Sequence, residues 1–274
     1  MKITVMTHQT NDKVKAICQK LNELCQEDGF IWDDQMPDVV ITIGGDGSML
    51  SAFHRYRDQL DRIRFLGVHT GHLGFYTDYT VDQVDELISD LRQDHGEEVT
   101  YPLLEVSLHY EDKQLSPHHF LALNEATIKR ITGTFICDVY INRYLFESFR
   151  GDGLCVSTPS GSTGVNKSIG GAVLHPSHSA IQLTEYASLN NRVFRTLSSP
   201  LVLGIEDQIT FKPKNCDRLL VTYDHLAMKA NQIEEMTCRV AKERIRFVSY
   251  RHMPFWKRVS QAFIGDFSKD LDSE

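Results

Sequence analysis

Over the first hundred residues, runs of apolar positions alternate with helical stripes. Ile3-Thr4-Val5-Met6 reads as a first strand, and Val14, Ile17, Cys18, Leu21, Leu24 and Cys25 then recur at the spacing of one helix face, which Gly29 is expected to end. Pro37 leads into Val39-Val40-Ile41-Thr42-Ile43, a β-branched run of the kind found in strands buried on both faces of a parallel sheet. Ser48-Met49-Leu50-Ser51-Ala52-Phe53 reads as helix, and Ile63 to Val68 as another strand. Thr80 with Gln83 forms a capping box ahead of a face made by Val81, Val84, Leu87, Ile88 and Leu91. Strands alternating with helices predict a parallel α/β sheet, which binds ligands at the carboxyl ends of its strands.

The pattern changes at Tyr101-Pro102. Short alternating segments follow at Leu104–Tyr110, Phe120–Leu123, Cys137–Asn142, Leu145–Phe149, Gln208–Phe211, Leu219–Tyr223 and Arg244–Tyr250. They predict a β-rich domain of two packed sheets. Phe255 to Phe263 returns to helical spacing, with Phe255, Trp256, Val259 and Phe263 on one face, and is expected to pack back on the first domain. Asp266 to Glu274 reads as a polar, disorder-prone tail. The expected organisation is an α/β domain over residues 1–100, an all-β two-sheet domain over 101–252, and a helix and tail over 253–274.

A hydrophobic share of 41% and a charged share of 24% place the chain among ordinary globular proteins. The formal net charge of −8 argues against a general nucleic-acid or anionic-membrane surface. No apolar run approaches a membrane span, and Met1 to Met6 is too soon polar for a signal peptide. The six cysteines contain no C-x-x-C pair, so free thiols in a cytoplasmic setting are expected. The tightest histidine pairs, His69 with His72 and His175 with His178, lie beside Gly or Pro in loop-like sequence, which speaks against a dedicated metal site.

The candidate chemistry lies in the glycine-rich turns. Gly44-Gly45-Asp46-Gly47 joins a predicted strand to a predicted helix, where open main-chain N–H groups suit phosphate. From the residues alone Asp46 is either a working carboxylate or a turn former and cap. A second loop, His69 to Tyr76, ends the next strand. In the second domain Asn124-Glu125 offers an amide and a carboxylate side by side, or an exposed turn. Arg150-Gly151-Asp152-Gly153 leads to Ser160-Gly161-Ser162-Thr163-Gly164-Val165-Asn166-Lys167-Ser168, small residues bracketed by strand-like sequence, as in a binding loop. Tyr223-Asp224-His225 places an Asp-His pair at a strand end.

Taken in this order, the motifs resemble the NAD kinase family, whose members phosphorylate NAD to NADP with ATP. The resemblance covers nearly the whole chain and rests on Gly44–Gly47, Gly71-His72-Leu73-Gly74-Phe75, Asn124-Glu125, Gly151-Asp152-Gly153 and Thr158–Thr163, with Pro254–Val259 similar to the closing helix of bacterial members. It implies a Rossmann-like first domain and Asp46 as the catalytic aspartate beside the 2′-hydroxyl of the adenosine ribose. Gly44, Gly45 and Gly47 would cradle phosphates, and Asn124 and Glu125 would hold NAD. Asp152 would contact the second nucleoside, and Ser160 and Thr163 to Ser168 would line the base pockets. Phe75, Tyr76, Tyr186 and Ala187 would add apolar wall, and Asp224 and His225 would complete the set. Mg²⁺ would come with ATP, helped by Arg150 or Lys167. The family's dimers and tetramers share sites, so Arg150 and Asp152 would act on a neighbour's ligand. Gly-Gly-Asp-Gly alone is also found in phosphofructokinases and lipid kinases, but the chain shows no basic cluster for a sugar phosphate and its charge disfavours anionic lipid. A non-catalytic dinucleotide sensor is the remaining alternative.

One departure stands out. Where the family usually carries Gly-Ser-Thr-Ala-Tyr, this chain reads Gly161-Ser162-Thr163-Gly164-Val165. A base stacked on an aromatic ring gains roughly 1–3 kcal/mol, which valine cannot supply. Val165→Tyr is therefore expected to lower the KM for NAD by about fivefold or more, as steady-state kinetics would show.

Overall fold

The computed structural model describes residues 1–27, 29–71 and 73–265. The expected tail, Asp266–Glu274, and His72 of the second loop lie outside the described residues. The chain forms two compact units, one of Met1–Thr100 with the chain from Ile245 onward, the other Tyr101–Arg244. Among the described residues no helix is long and apolar enough to cross a membrane.

The first unit is α/β. Its elements run β1 (Lys2–Thr7), α1 (Asp12–Leu24), β2 (Ile31–Trp32), β3 (Val39–Ile43), α2 (Asp46–Tyr56), β4 (Arg64–His69), β5 (Tyr79–Thr80) and α3 (Val84–Arg92). The strands pair in parallel in the order β2-β1-β3-β4, with β5 also on β4. All five residues of β3 are buried, as expected for a strand covered on both faces. Helix α1 packs Val14, Ile17, Leu21 and Leu24 inward and is capped by Asn11, whose side chain accepts from Val14 N at 3.0 Å. The helix ends at Leu24, not at Gly29. The Cys25 N–H closes it on the Leu21 carbonyl at 3.3 Å, and Gly29 takes its positive φ of 96° in the turn beyond. The Thr80–Gln83 capping box is present, but it opens a 3-10 turn, Val81–Gln83, that feeds α3.

The second unit is built of strands: β6 (Glu98–Tyr110), β7 (His118–Ala122), β8 (Glu125–Arg130), β9 (Phe135–Ile141), β10 (Tyr144–Gly151), β11 (Gly153–Ser157), β12 (Ile181–Tyr186), β13 (Leu201–Leu203), β14 (Gln208–Pro213), β15 (Leu219–Tyr223), β16 (Leu226–Lys229) and β17 (Ile233–Val248). The one-turn helix α4 (Val165–Ser168) lies between β11 and β12. One sheet runs β13-β12-β11-β8-β15-β16 and is antiparallel throughout. The other brings together β10, β9, β14 and β17, with β6 and β7. Ile128, Val156 and Val221 of the first sheet share one core with Phe135, Phe149, Phe211 and Cys238 of the second. Strands β8, β11, β12, β13 and β16 escaped the sequence pattern, and the segment expected at Arg244–Tyr250 overlaps the end of the 16-residue strand β17, which stops at Val248. Cys137, Cys155 and Cys238 are fully buried in β9, β11 and β17, and burial pushes all three thiols well up.

The closing helix, Phe255–Phe263, belongs to the first unit, but its buried face is not the apolar one expected. Phe255 and Arg258 are buried, whereas Trp256 is 56% and Phe263 43% exposed. An arginine takes the inner position because its partners, described below, are main-chain carbonyls and a carboxylate.

Ile41 is fully buried at the centre of the parallel sheet, paired with β1 on one side and β4 on the other. Ile41→Ala is expected to cost about 2–5 kcal/mol, read as a lower urea midpoint by circular dichroism.

Candidate functional site

The predicted site residues fall into two clusters, one in each unit. In the first, β3 runs out at Ile43 and the chain turns into α2 through Gly44, whose φ of 151° and closeness to Ser48 Oγ leave no room for a side chain. The Gly44 N–H is committed to the Val68 carbonyl at 2.9 Å, so the open donors of this turn begin at Gly45. Gly45 and Gly47 are exposed, with open space where a side chain would stand. Gly45 is the cap residue and makes no side-chain cap bond, so Asp46 is the first residue of α2 rather than its cap.

The half-buried Asp46 carboxylate faces the second glycine loop. Its Oδ2 accepts from Phe75 N at 2.9 Å and its Oδ1 from Tyr76 N at 3.0 Å. A carboxylate has about four acceptor positions, so both oxygens keep capacity for a further donor. Gly74 is required here, because a Cβ on it would overlap Asp46 Oδ1. The loop is folded on itself by Gly74 N donating to Thr77 Oγ1 at 3.0 Å, and on β4 by Asp78 N donating to the Gly67 carbonyl at 3.0 Å. Phe75 lies among Phe255 and Phe263, with ring centres at 6.1 and 5.9 Å. Tyr76, expected as ligand wall, is only 5% exposed and its ring stacks on Phe247, so its part in this cluster is its N–H.

The second cluster surrounds Asn124-Glu125, where the chain passes from β7 into β8. Asp224, in the left-handed region at φ 50°, accepts from Leu123 N at 3.0 Å and Asn124 N at 2.7 Å, and its own N–H donates to the Glu125 carbonyl at 3.0 Å. From the other side Thr158 N donates to the Asn124 carbonyl at 2.8 Å, and Thr158 Oγ1 to the Leu123 carbonyl at 2.6 Å. Gly161 approaches so closely that a Cβ would overlap the Asn124 carbonyl. Asp224 thus fixes the backbone on which Asn124 is mounted, a role that the Asp-His spacing did not reveal.

Glu125 is 6% exposed and accepts from the Val165 N–H, while its Oε2 has no hydrogen-bond partner among the described residues. Burial first, and the nearby Asp224 charge second, push its carboxyl up to about 8. Below that pH the protonated form of the carboxyl is favoured. Tyr186, also raised chiefly by burial, has an unpartnered hydroxyl, and its ring lies under Lys129 Nζ at 4.7 Å.

Other predicted residues divide by exposure. Asn166, expected to line a pocket, is fully buried, its amide bonding the Ser162 and Ala172 carbonyls, each at 3.3 Å, and accepting from Thr184 Oγ1 at 2.7 Å. It therefore shapes the loop from inside. Ser160 is likewise buried, donating to the Leu123 carbonyl at 3.2 Å. Gly164, Val165, Lys167 and Ser168 are exposed along α4 and its approach, and Thr163 is half-buried. Asp152, Ala187 and His225 are exposed at strand ends, Ala187 with φ 43°. Arg150 lies 3.9 Å from the centre of the Phe194 ring. Among the described residues no three His, Cys, Asp or Glu side chains gather as a metal cage.

Residues 3–96 match the family model described as the ATP-NAD kinase N-terminal domain, and residues 123–250 match that of the ATP-NAD kinase C-terminal domain. The chain belongs to the NAD kinase family. The NAD kinase of Latilactobacillus sakei is 53% identical over 265 residues, covering 97% of this chain and 98% of that one. The NAD kinase of Enterococcus faecalis is 50% identical over 266 residues, covering 97% and 100%. Among solved structures, yeast NADH kinase complexed with NADH superposes with a TM-score of 0.82 at 17% identity, covering 98% of this chain and 88% of that one. An NAD kinase from Archaeoglobus fulgidus in complex with ATP gives 0.72 at 22% identity, covering 95% and 98%. At those identities the likeness is one of fold, an α/β domain followed by a two-sheet β domain.

Sequence reasoning missed Asp78 and Arg258, which hold the NAD kinase loop facing Asp46, and Thr158 as a clamp on Asn124. Only the Pro254–Val259 motif hinted at the first pair.

Glu125 gives a pH signature. Its folded value lies above the ordinary carboxyl range, so between about pH 5 and about pH 8 the folded state holds a proton that the unfolded state has lost, and stability falls as pH rises. Glu125→Gln, neutral throughout, is expected to flatten this decline by on the order of a few kcal/mol in denaturation curves across that window.

Proposed function

We propose that this chain catalyses its family's reaction, transfer of the γ-phosphoryl group of ATP to the 2′-hydroxyl of the adenosine ribose of NAD, giving NADP and ADP. The observation that carries this reading is the match to both NAD kinase family models, together with about half-identity to NAD kinases over nearly the whole chain.

In this reading the ribose oxygen bonds to the γ-phosphorus as the bond from that phosphorus to the ADP oxygen breaks, and the hydroxyl proton passes to Asp46. Such transition states are loose, so orientation outweighs basicity. Support comes from Asp46 itself, anchored by two main-chain N–H groups yet with lone pairs to spare, at the positive end of α2. Gly45 and Gly47 leave the main chain open to phosphate. MgATP is the donor in this proposal, the ion arriving on the phosphates. Asn124 on its clamped turn, neutral Glu125 and the exposed edge of α4 are assigned to the dinucleotide. We assign Arg150 and Asp152 to a site shared within a homo-oligomer, consistent with the exposed Tyr144 and Leu145 on β10, the same strand as Arg150.

NADP formation from NAD and MgATP tests the reading. Asp46→Asn keeps the shape and removes the proton acceptor. It is expected to lower kcat by about 10²–10⁴-fold while calorimetry shows NAD binding largely retained. Near-normal turnover in that variant would remove Asp46 from the chemistry.

A further inference from the structure

We propose that Arg258 is a positioning residue for phosphoryl transfer, setting the direction of the N–H groups that hold Asp46; this rests on the reading of Asp46 given above. Arg258 is 3% exposed on the inner face of the closing helix. Its Nη1 donates to the Gly74 carbonyl at 2.8 Å and to the Thr77 carbonyl. Its Nη2 pairs with Asp78 Oδ1, and its Nε reaches the Met253 carbonyl at 3.4 Å. Asp78 also accepts from Met253 N at 3.3 Å, and His252 Nδ1 stands 3.7 Å from its other oxygen.

The link to Asp46 runs through one peptide group. The Gly74 carbonyl and the Phe75 N–H belong to the same planar unit and point in opposite directions. Arg258 fixes the oxygen end, and Asp46 Oδ2 receives the N–H end at 2.9 Å. Turning that peptide would break both bonds. The Thr77 carbonyl and Asp78 fix the far side of the same short loop, so the Tyr76 N–H, which lies between the anchored Gly74 and Thr77 carbonyls, is oriented as well. Each bond in such a chain also polarises the next.

Stability alone does not call for an arginine here. A hydrophobic side chain of similar volume often replaces a buried ion pair at no loss, or with a gain. An aliphatic side chain could not bond the Gly74 and Thr77 carbonyls, and a lysine lacks the planar fork that serves several acceptors at fixed angles.

The test compares Arg258→Lys and Asp78→Asn with Arg64→Lys and Asp46→Asn. Arg64 makes a comparably buried fork in the same unit, to Asp94 at 2.7 and 2.6 Å. Arg258→Lys is expected to lower kcat by about 10- to 100-fold with the KM for NAD changed less than about threefold, since small misplacements near reacting groups have effects of that size. Asp78→Asn should lower kcat in the same sense. Arg64→Lys should lower the melting temperature similarly and leave kcat unchanged. Arg258→Lys with wild-type kcat, or with its whole loss in KM, overturns the proposal. If Arg258→Lys does not fold, Asp78→Asn decides by the same criterion. Should Asp46→Asn retain turnover, the reading of Asp46 fails instead. Collapse of Asp46→Asn beside an unimpaired Arg258→Lys isolates the failure to Arg258.

Discussion

Two main-chain N–H groups, those of Phe75 and Tyr76, hold Asp46 by its two carboxylate oxygens, and much of the first unit follows from that requirement. For the loop to come so near, position 74 must lack a side chain, and so must Gly67 on β4, where a Cβ would overlap the Tyr76 carbonyl. For the loop to stay, it needs partners of its own: Thr77 bonding Gly74, Tyr76 stacked on Phe247, Asp78 on the Gly67 carbonyl and paired with Arg258. The parallel sheet supplies the base of this arrangement by ending β3 and β4 side by side, Ile43 paired with Val68.

The second unit treats Asn124-Glu125 by the same physical logic. Asp224 and Thr158 grip the backbone from opposite sides, so the turn is rigid before any ligand arrives. The two carboxyl groups here differ in their surroundings. Asp224 is solvated by main-chain N–H groups, whereas Glu125 is buried with one bare oxygen and stays protonated.

The parts of the fold most legible in the sequence were those whose burial is written in hydrophobicity. The apolar run of β3 and the stripe of α1 announced themselves. Strands β11 and β12 did not, because they bury polar side chains, Ser157, Gln182 on the Ala172 main chain and Thr184 on the Asn166 amide, and small or polar residues in sequence look like a loop. The site motifs were visible as glycines and short polar pairs, but not their division of labour. Asn166 looks like a ligand contact until Thr184 and the Ala172 carbonyl are placed around it. Arg258 looks like a solvent-facing charge, since its partners Gly74 and Asp78 are about 180 residues away in sequence. Long-range hydrogen bonds to the main chain leave no periodicity to read.

The three thiols sealed in the second unit carry a consequence of their own. Cys137, Cys155 and Cys238 have almost no thiolate at neutral pH, because burial opposes the charge, and the thiolate is the reactive form. Alkylating agents and peroxides therefore reach them only when strands β9, β11 or β17 part. Their labelling rates are a clock for the opening of this β domain, wound by the fold and readable without any engineered cysteine.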